Sequence, residues 1–434
     1  MPSTPVAMSP TRASLKGFLA TARKALLSPP AQRPKPLTFV VGNESADLDS
    51  LCSAVVFAYF RTHTPAHGLH IPLSNLPRAD LALRPELQAV LHPAGLKPDD
   101  LITLCDLPRE GLHPQDTRWL LVDHNALTGR LAASFSGQVV GCIDHHVDEG
   151  VIPHDVPEGQ PRRFATCGSC MSLVLDHCKP TWDSLAASAC EDGTSAAECD
   201  AQLAHVALAP ILIDTINLTS KDKTTDWDVH ATELAESKLA SFESQSQSRS
   251  QVQTQPSAQE DAAPYNRETY HATLTTLKEQ IAGLPYRDVL RKDYKRWTEG
   301  SLGLGMSTVV QDLTTTTATA GEGERGAFVA ALRAWAGEQG LDIAAVMTVS
   351  RPGGVFTREL LVWGLSEAGV AAVGEFRRRF AEKLGLESWE GGGLDGGGEG
   401  EGEWRVCWRQ KEVSCSRKQV GPMLREAMRE SAKL

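Results

Sequence analysis

The stretch VVGNESADLDS, residues 40–50, begins at the end of the apolar run PLTFVV and carries two aspartates one residue apart. In an extended segment, residues i and i+2 project to the same side, so Asp47 and Asp49 would bring two negative charges together. Such charges repel and raise each other's pKa unless a cation lies between them. The pattern therefore indicates a metal site after a buried strand. The alternative is a turn in which Asp49 or Ser50 caps the next helix.

Length and charge limit the classes of protein that fit. A chain of 434 residues is too long for one ordinary core, so two domains are expected. The 41% hydrophobic and 22% charged content is typical of soluble globular proteins. The net charge of −11 and the lack of an obvious apolar run of about 20 residues argue against nucleic-acid or membrane partners. A local basic pocket for a polyanion stays compatible with this charge, and the oligomeric state is not predicted.

The N-terminal segment has an unusual composition. Residues 1–43 contain six basic residues and no acidic one, and LKGFLATARKALL at 15–27 is amphipathic at helical spacing. This fits a mitochondrial presequence. It fits equally a surface helix that packs its apolar side on the body through Leu15, Phe18, Leu19 and Leu26. We expect a cytoplasmic protein, with mitochondrial targeting as the alternative.

The cysteines support a reducing compartment. The ten cysteines are scattered, and their spacing does not indicate a disulfide framework. Cys167 and Cys170 form the one close pair, in TCGSCMSLV. Without a second pair, they are interpreted as packing residues rather than as a zinc or redox motif.

The first half of the chain alternates short apolar runs with helical patterns. Strands are predicted at 37–41, 101–105, 118–122 and 138–143, and a helix at 50–62. This alternation predicts an α/β fold with a parallel sheet, in which ligands collect at the carboxyl ends of the strands. Acidic residues or histidines follow each run, namely Asp47 and Asp49, Asp106, Asp123, and Asp144-His145-His146; Asp214 lies near the end of a predicted helix at 201–218.

The chain divides into four segments by composition. Residues 1–36 are the basic extension, and 37–240 form the first domain. Residues 241–264 are rich in Ser and Gln and are predicted to be a disordered linker. Residues 265–434 are predicted to form a second, smaller α/β domain, interrupted by a disordered Gly/Glu-rich loop at 391–403.

The clustered residue types indicate a particular chemistry. Carboxylates combined with an imidazole suit Mn²⁺ or Mg²⁺ better than softer metals. The number of candidate ligands suits two ions that share a bridging carboxylate, an arrangement used to split phosphoryl bonds with an activated water.

The motifs GNESADLDS, LVDHN, IDHH and LIDT resemble, in this order, those of the DHH phosphoesterase superfamily. In the second domain, RKDYKRW and CSRKQVGP resemble the basic signatures of the DHHA2 type of C-terminal domain. That domain is shared by family II inorganic pyrophosphatases, fungal cytosolic exopolyphosphatases and prune-like proteins. The resemblance covers about residues 37–230 and 265–425. The G-G-G-H motif of the oligonucleotide-cleaving branch is absent from the sequence.

Two positions separate the members of this group. Asn43 stands where family II pyrophosphatases carry a histidine ligand, whereas exopolyphosphatases and prune-like proteins have asparagine. His146 completes the D-H-H motif, whose second histidine prune-like proteins tend to lose. The combination is most similar to the fungal exopolyphosphatase type.

The resemblance implies two divalent cations, Mn²⁺ or Mg²⁺, and assigns ligands by motif position. One ion would be held by Asp47 and Asp123, with Asn43 as a weak ligand or as a partner of the ligands. The other would be held by Asp49, Asp123, His145 and Asp214, so that Asp123 bridges both ions.

The resemblance also implies roles in catalysis and substrate binding. His146 would face the phosphoryl group as electrophile or proton donor, and Asp144 would support the histidine pair. Lys295, Arg417 and Lys418 would neutralise a polyphosphate, although each could also belong to a solvated basic face. The residues expected to act in catalysis are Asp123, His146 and Lys295.

The implied activity is that of a metal-dependent exopolyphosphatase, which hydrolyses terminal phosphoanhydride bonds of inorganic polyphosphate and releases orthophosphate. Two alternatives stay open. One is a family II-like inorganic pyrophosphatase, and the other is a prune-like interaction protein with weak phosphoesterase activity. The sequence does not predict the preferred chain length of the substrate.

Overall fold

A computed structural model describes residues 12–65, 68–186, 188, 190–250, 264–281, 283–317, 324–398 and 402–433. The chain forms two compact units, Met1–Leu277 and Lys278–Leu434. The second unit therefore begins 13 residues after the predicted domain start at 265. Both units combine helices with a β-sheet, which confirms the predicted α/β class.

The first unit contains a parallel sheet. Its described strands are β1 (Leu37–Val41), β2 (His70–Leu73), β3 (Thr117–Val122), β4 (Val139–Asp144) and β5 (Arg162–Phe164). They lie in the order β2-β1-β3-β4-β5, and every neighbouring pair is parallel. In this order the winding of the chain reverses between β1 and β3, and ligands in such sheets bind at the carboxyl ends of the strands beside that point.

Helices cover both faces of this sheet. They are α1 (Leu15–Leu27), α2 (Leu48–His63), α3 (Pro85–Leu91), α4 (Gly129–Phe135), α5 (Cys170–Leu185), α6 (Ala196–Asp214), α7 (Asp226–Ser250) and α8 (Arg267–Glu279). Successive residues of β1 enter different cores: Val40 packs with α2, α5 and α6, whereas Phe39 and Val41 pack on the opposite face. Burial on both faces explains why the strands read as continuous apolar runs.

Helix α1 is the predicted amphipathic N-terminal helix. Ser14 caps its first turn by accepting a hydrogen bond from the backbone N–H of Gly17 at 3.1 Å. Its apolar side is buried in the first unit through Leu15, Phe18, Leu19, Ala22 and Leu26. This is the packing expected of a helix that belongs to the folded body; targeting by this segment stays a prediction.

The predicted strand at 101–105 is wrong. Thr103 forms a single parallel bridge with Ser74, and the chain then turns because Asp106 accepts hydrogen bonds from the backbone N–H and the hydroxyl of Thr103. Two arginines, Arg23 and Arg78, hold the Asp106 carboxylate at 2.7 and 2.6 Å. Asp106 is therefore part of this turn, and the strand beside β1 is β2 instead.

Helix α6 corrects the expectation that no segment is apolar enough to cross a membrane. By length and composition, its 19 residues pass that test. Two thirds of the apolar window (67%) is buried inside the unit, as in the core helix of a globular protein. Arg12 adds a buried ion pair beside this helix, with its guanidinium 2.8 Å from Asp200.

The cysteines differ from expectation in one respect. Cys190 and Cys199 form a disulfide bond, which their scattered spacing did not indicate. Cys167 and Cys170 are buried thiols outside this disulfide bond, as expected of packing residues.

The first part of the predicted linker is helical. Helix α7 continues to Ser250, ten residues into the segment 241–264, whereas residues 251–263 lie outside the described residues. The hydroxyls of Ser241 and Ser244 each donate to the carbonyl four residues earlier at 2.8 Å. A polar composition therefore did not end this helix.

The second unit contains a mixed sheet. Its described strands are β6 (Tyr294–Glu299), β7 (Leu302–Val309), β8 (Ile343–Thr348), β9 (Arg358–Gly364), β10 (Leu386–Ser388), β11 (Gly396–Gly397) and β12 (Trp404–Gln410). The order is β10-β12-β9-β8-β7-β6, with β11 paired to β12. Its helices are α9 (Tyr286–Lys292), α10 (Leu313–Thr317), α11 (Glu324–Gln339), α12 (Glu367–Leu384) and α13 (Arg417–Ser431). Helices α12 and α13 cover one face, and α9 and α11 cover the other.

The predicted disordered loop at 391–403 is wrong for its first part. Leu394 is fully buried in the core beneath α11, and its carbonyl accepts a hydrogen bond from Arg405. Asp395 accepts from the backbone N–H of Cys407 at 2.8 Å, and Gly396–Gly397 pairs with β12. One leucine among glycines thus anchors the segment. Residues 399–401 lie outside the described part of the chain.

We expect Leu394→Ala to lower the free energy of unfolding of the second unit by about 2–5 kcal/mol, because it leaves a cavity in a closed core. Exposed Glu390, directly before this segment, supplies the control: Glu390→Ala should change the free energy by no more than about 0.5 kcal/mol. Urea unfolding followed by tryptophan fluorescence measures both. Equal midpoints for the two variants would show that this segment does not contribute to the core.

Candidate metal centre

The loop after β1 brings Asp47 and Asp49 to the start of a helix, not to an extended segment as predicted. Asp47 caps α2 by accepting from the backbone N–H of Ser50 at 3.1 Å, and Asp49 lies in the first helical turn. A side chain at Gly42 would place its Cβ 2.5 Å from the Cβ of Ser50, so the tight approach of loop and helix requires glycine. A cap therefore does exist here, but Asp47 supplies it, not Asp49 or Ser50 as in the alternative.

Asp49 is buried at the N-terminus of α5. Its oxygens accept hydrogen bonds from Ser53 Oγ (3.1 Å), Ser169 Oγ (2.9 Å), Cys170 N (2.7 Å) and Met171 N (3.0 Å). The backbone donors are N–H groups of the first turn of α5, which have no carbonyl partner within the helix, and the helix dipole favours a negative charge there. The sequence separation of more than 100 residues hides this contact from motif analysis.

The buried carboxylate of Asp49 lies near other carboxylates, whose charges affect its pKa. Burial, followed by the charges of Asp123 and Asp214, raises the pKa of Asp49 well above its usual value, and His145 opposes the shift. Asp47 adds a further raising contribution. Three of the four predicted acidic ligands therefore act electrostatically on the fourth, Asp49, and a cation among them would favour its ionised form.

Asp123 follows β3 directly, and its two oxygens have different surroundings. Oδ2 accepts from Asn43 Nδ2 and from Ser50 Oγ, both at 2.7 Å. Oδ1 lies 3.2 Å from Nε2 of His145 and 3.8 Å from Nδ1 of His146. The backbone φ of Asp123 is +60°, an uncommon left-handed conformation that aspartate tolerates and that is frequent at functional sites.

Asn43 uses both ends of its amide within the protein. Nδ2 donates to Asp123 at Oδ2 and, at 3.1 Å, to its backbone carbonyl, whereas Oδ1 accepts from the N–H of Ser45 at 2.9 Å. This geometry supports the expected role of Asn43 as a partner of the ligands, since it orients Asp123.

His145 is oriented by a backbone carbonyl. Its Nδ1 lies 3.0 Å from the carbonyl oxygen of Cys167, so that the proton on Nδ1 is donated there. Nε2 then faces Asp123 Oδ1 at 3.2 Å and Asp49 Oδ2 at 3.9 Å. The lone pair of His145 Nε2 and two carboxylate oxygens therefore converge, and such a set of donors suits a divalent cation. A histidine that ligates a metal usually donates its other N–H to a carbonyl, as His145 does here. The residues present therefore fit such an ion.

Asp144 supports His146, as expected. Its Oδ1 accepts from Nδ1 of His146 at 2.7 Å and from the backbone N–H at 3.2 Å, and its Oδ2 accepts from Asn125 at 2.7 Å. Burial opposes ionisation, but the hydrogen bond and charge of His146 lower the pKa of Asp144 to about 2. Asp123, Asp144, His145 and His146 each offer a ligand atom within 4.8 Å of the others. Both oxygens of Asp144 are engaged by protein donors, which supports the expected role of Asp144 in orienting His146.

Asp214 ends α6 and is half-buried. Burial and the charge of Asp123 are the two largest causes of the raised pKa of Asp49, and the charge of Asp214 is the third. Asp214 therefore belongs to the same electrostatic cluster. The three residues Ile216, Asn217 and Leu218 have positive φ angles of 53°, 53° and 62°, so the chain turns sharply after Asp214.

The predicted basic residues lie in the second unit. Arg417 is the first residue of α13, and it donates to Asp293 through Nη2 to Oδ1 at 2.6 Å and through Nη1 to the carbonyl oxygen at 3.0 Å. Burial opposes ionisation of Asp293, but Arg417 and then Lys295 on β6 lower its pKa. Lys418 is exposed in the same first turn of α13. Arg417 and Lys295 therefore share one acidic neighbour.

Sequence reasoning missed Arg84. Its buried guanidinium donates to the carbonyl oxygens of Ser45 and Ala46, each at 2.6 Å, and so fixes the loop between Asn43 and Asp47. Ala46 has a φ of +46°, which this clamp helps to hold. A lone arginine 34 residues after the end of the motif GNESADLDS gave no signal. Ser50, in contrast, stands inside the motif, and its hydroxyl could have been assigned to a carboxylate partner.

Comparison with known proteins places this geometry in a family. Models of two families match: the DHH family, N-terminal domain, over residues 38–211, and the DHHA2 domain over residues 272–427. A protein of Schizosaccharomyces pombe named "Putative exopolyphosphatase" is 31% identical over 395 residues, which cover 91% of this chain and 92% of that protein. "Exopolyphosphatase PRUNE1" of Bos taurus is 24% identical, over 77% of this chain and 63% of its own length.

Pyrophosphatase-type proteins are also similar. A "Probable manganese-dependent inorganic pyrophosphatase" of Archaeoglobus fulgidus is 25% identical over 45% of this chain and 54% of its own length. The crystal structure titled "Methanococcus jannaschii putative family II inorganic pyrophosphatase" superimposes with a TM-score of 0.55, over 91% of this chain and 100% of that one. Its 19% identity shows a shared fold alone. With both domain models matched and a relative aligned over nearly its whole length, the chain belongs to the DHH phosphoesterases and carries a C-terminal DHHA2 domain.

Proposed function

We propose that this protein is a metal-dependent exopolyphosphatase, which hydrolyses the terminal phosphoanhydride bond of inorganic polyphosphate and releases orthophosphate. The observation that carries the proposal is the convergence of Asp49, Asp123 and His145 beside the reversal point of the parallel sheet. Similarity over 91% of the chain to a protein named as an exopolyphosphatase supports polyphosphate as the substrate.

The cation would be Mn²⁺ or Mg²⁺, two ions being proposed from the number of carboxylates. Asp49, Asp123 through Oδ1, and His145 through Nε2 would hold one ion, and Asp47 and Asp214 would complete the set. Asn43 and Ser50 keep Asp123 Oδ2 in place, so Oδ1 is the oxygen available for sharing. The ions would supply polarisation of phosphoryl oxygens and activation of water. Similarity to a relative named as a manganese-dependent pyrophosphatase supports Mn²⁺ as the cation.

His146 is proposed to act on the phosphoryl group. Because Asp144 accepts the hydrogen bond from Nδ1, the opposite nitrogen, Nε2, is the one that would carry a proton to or from a phosphoryl oxygen. The buried Asp144, with its pKa of about 2, supplies a fixed negative charge that stabilises the imidazolium form.

The first turn of α13 is proposed to bind phosphate. Ser416 caps this 15-residue helix, and Arg417 and Lys418 follow at once. Asp293 pairs with Arg417, and two cations at a helix N-terminus favour a further anion there. Backbone N–H groups and a guanidinium fork at one place suit a phosphate group. Lys295 would add a third positive charge.

An inorganic pyrophosphatase is the second candidate, favoured by the fold shared with a family II pyrophosphatase structure. Against it stands Asn43, whose amide nitrogen donates to Asp123 and so does not act as a ligand there. A prune-like protein with weak activity is the third, and the complete pair of His145 and His146 opposes it. Release of orthophosphate from long-chain polyphosphate, tripolyphosphate and pyrophosphate, each with Mn²⁺ or Mg²⁺, separates the three. Turnover of pyrophosphate alone would overturn the proposal.

We expect Asp123→Asn to abolish hydrolysis and to weaken Mn²⁺ binding by at least about 100-fold, because the shared carboxylate contacts the whole cluster. Calorimetric titration with Mn²⁺ measures the affinity, and circular dichroism shows whether the fold is kept. Exposed Asp155 supplies the control, Asp155→Asn, which should behave as wild type. A folded Asp123→Asn protein with more than about a tenth of wild-type turnover would refute the assignment.

We expect Asp144→Asn to lower turnover by about 10- to 100-fold, since His146 loses its charged partner. The binding of Mn²⁺ should change less than in Asp123→Asn, because both oxygens of Asp144 are engaged by protein donors. Steady-state kinetics and the same titration compare the two variants. A loss of Mn²⁺ affinity as large as that of Asp123→Asn would mean that Asp144 is itself a ligand.

We expect Arg417→Gln to raise KM and to lower turnover for polyphosphate, and the defect should grow as ionic strength falls, because charged contacts are less screened there. Arg429→Gln, at the opposite end of α13, is the control for the loss of one charge. Gel analysis should show orthophosphate from the first turnovers. Early accumulation of mid-length fragments without orthophosphate would contradict attack from the chain end.

A further inference from the structure

Asp228 is a fully buried carboxylate that none of the four family motifs contains. It lies in the first turn of α7 and has no exposed surface. Five hydrogen bonds reach its two oxygens, from Gly168 N (2.9 Å), Ser169 N (3.2 Å), Ser172 Oγ (2.6 Å), Thr225 N (2.8 Å) and Thr225 Oγ1 (2.9 Å). These donors come from two separate segments of the chain, so Asp228 ties the start of α7 to the segment before α5.

That segment, residues 167–171, holds two of the candidate ligands. The carbonyl of Cys167 fixes the ring of His145 through Nδ1 at 3.0 Å. Three donors of the same segment, Ser169 Oγ, Cys170 N and Met171 N, hold the carboxylate of Asp49 at 2.7–3.0 Å. The backbone position of 167–171 therefore determines where Nε2 of His145 and both oxygens of Asp49 point.

The segment also lies against the chain that follows the third candidate ligand, Asp214. A side chain at Gly168 would place its Cβ 2.4 Å from Cγ2 of Thr215 and 3.2 Å from Oδ2 of Asp228. Thr215 follows Asp214 directly. Asp228, Gly168 and Thr215 thus lie close together, next to the segment that holds Asp49 and His145.

A simple helix cap does not explain this arrangement. Capping of α7 would need Asp228 to accept from Thr225, three residues earlier, as it does. Capping would not need the further hydrogen bonds from Gly168, Ser169 and Ser172, which are not part of α7. Three of the five hydrogen bonds to Asp228 therefore come from residues 168–172, at and just before the start of α5, and not from α7.

We propose that Asp228 is a positioning residue of the metal centre, which acts on Asp49 and His145 through residues 167–171. This inference rests on the proposed metal site, although not on the identity of the phosphorylated substrate. Replacing the carboxylate by an amide would turn an NH₂ group toward N–H donors of the segment or of Thr225, so one hydrogen-bonded contact would open. The ligand atoms would then lose their common geometry while the ligands themselves stay present.

The experiment compares Asp228→Asn with a matched control, Asp226→Asn, which removes an exposed carboxylate two residues earlier in the same helical turn. Binding of Mn²⁺ alone to the purified full-length chain is measured by calorimetry and by electron paramagnetic resonance. We expect about 10- to 100-fold weaker binding for Asp228→Asn and less than a twofold change for Asp226→Asn. The spectrum of bound Mn²⁺ should also change, because the ligand geometry differs.

Thermal unfolding without metal separates positioning from a purely structural role. A purely structural Asp228 would lower the unfolding midpoint and leave Mn²⁺ affinity at the wild-type value, and that result would overturn the proposal. If Asp228→Asn does not fold, Ser172→Ala removes a single hydrogen bond to the carboxylate, and about fivefold weaker binding is expected. Wild-type affinity in a folded Ser172→Ala protein would then overturn it.

Polyphosphate hydrolysis by the wild-type protein is measured in parallel. A wild-type chain that binds Mn²⁺ and releases no orthophosphate would refute the proposed substrate, while the comparison of Asp228→Asn with Asp226→Asn would still test the positioning role. A wild-type chain that does not bind Mn²⁺ would overturn both.

Discussion

The repulsion between Asp49 and Asp123 is the constraint on which the first unit depends. Both carboxylates are buried and both face Nε2 of His145. Burying a charge is costly unless it is paired or hydrogen-bonded, and burying two of them together is more so. Hydrogen-bond donors offset this cost. The first turn of α5 donates to Asp49, and the side chains of Asn43 and Ser50 donate to Asp123.

These donors divide the carboxylate oxygens into two kinds. Oδ2 of Asp123 and both oxygens of Asp144 are engaged by protein groups, whereas Oδ1 of Asp123 faces the two histidines. The protein thus holds Asp123 through one oxygen and presents the other to the two histidines. Such support behind the ligating atoms sets the rigidity of a metal site as much as the ligands do.

Much of this site could be predicted from the sequence, because the ligand motifs follow strands and parallel strands end at one edge of the sheet. The prediction failed where contacts between distant segments decide the structure. A strand was predicted at 101–105 and none at β2. Asp106 instead turns the chain at 103–106 through its hydrogen bonds to Thr103. Strand β2 contains Pro72, which is tolerated because β2 lies at the edge of the sheet. The burial of Leu394, which stands among glycines, was not predicted for the same reason. Local composition does not reveal which single apolar side chain finds a core.

Cys170 gives the site a further property. Its backbone N–H binds Asp49, and its thiol lies in the same region, donating to the carbonyl of Ile143 at 3.2 Å. Burial, and then the charges of Asp49 and Asp123, raise the pKa of the Cys170 thiol well above its ordinary value. A thiol ligates soft metals as the thiolate, which is suppressed here. The carboxylates of the candidate metal centre therefore also keep the neighbouring sulfur protonated, the form in which a thiol is a poor metal ligand.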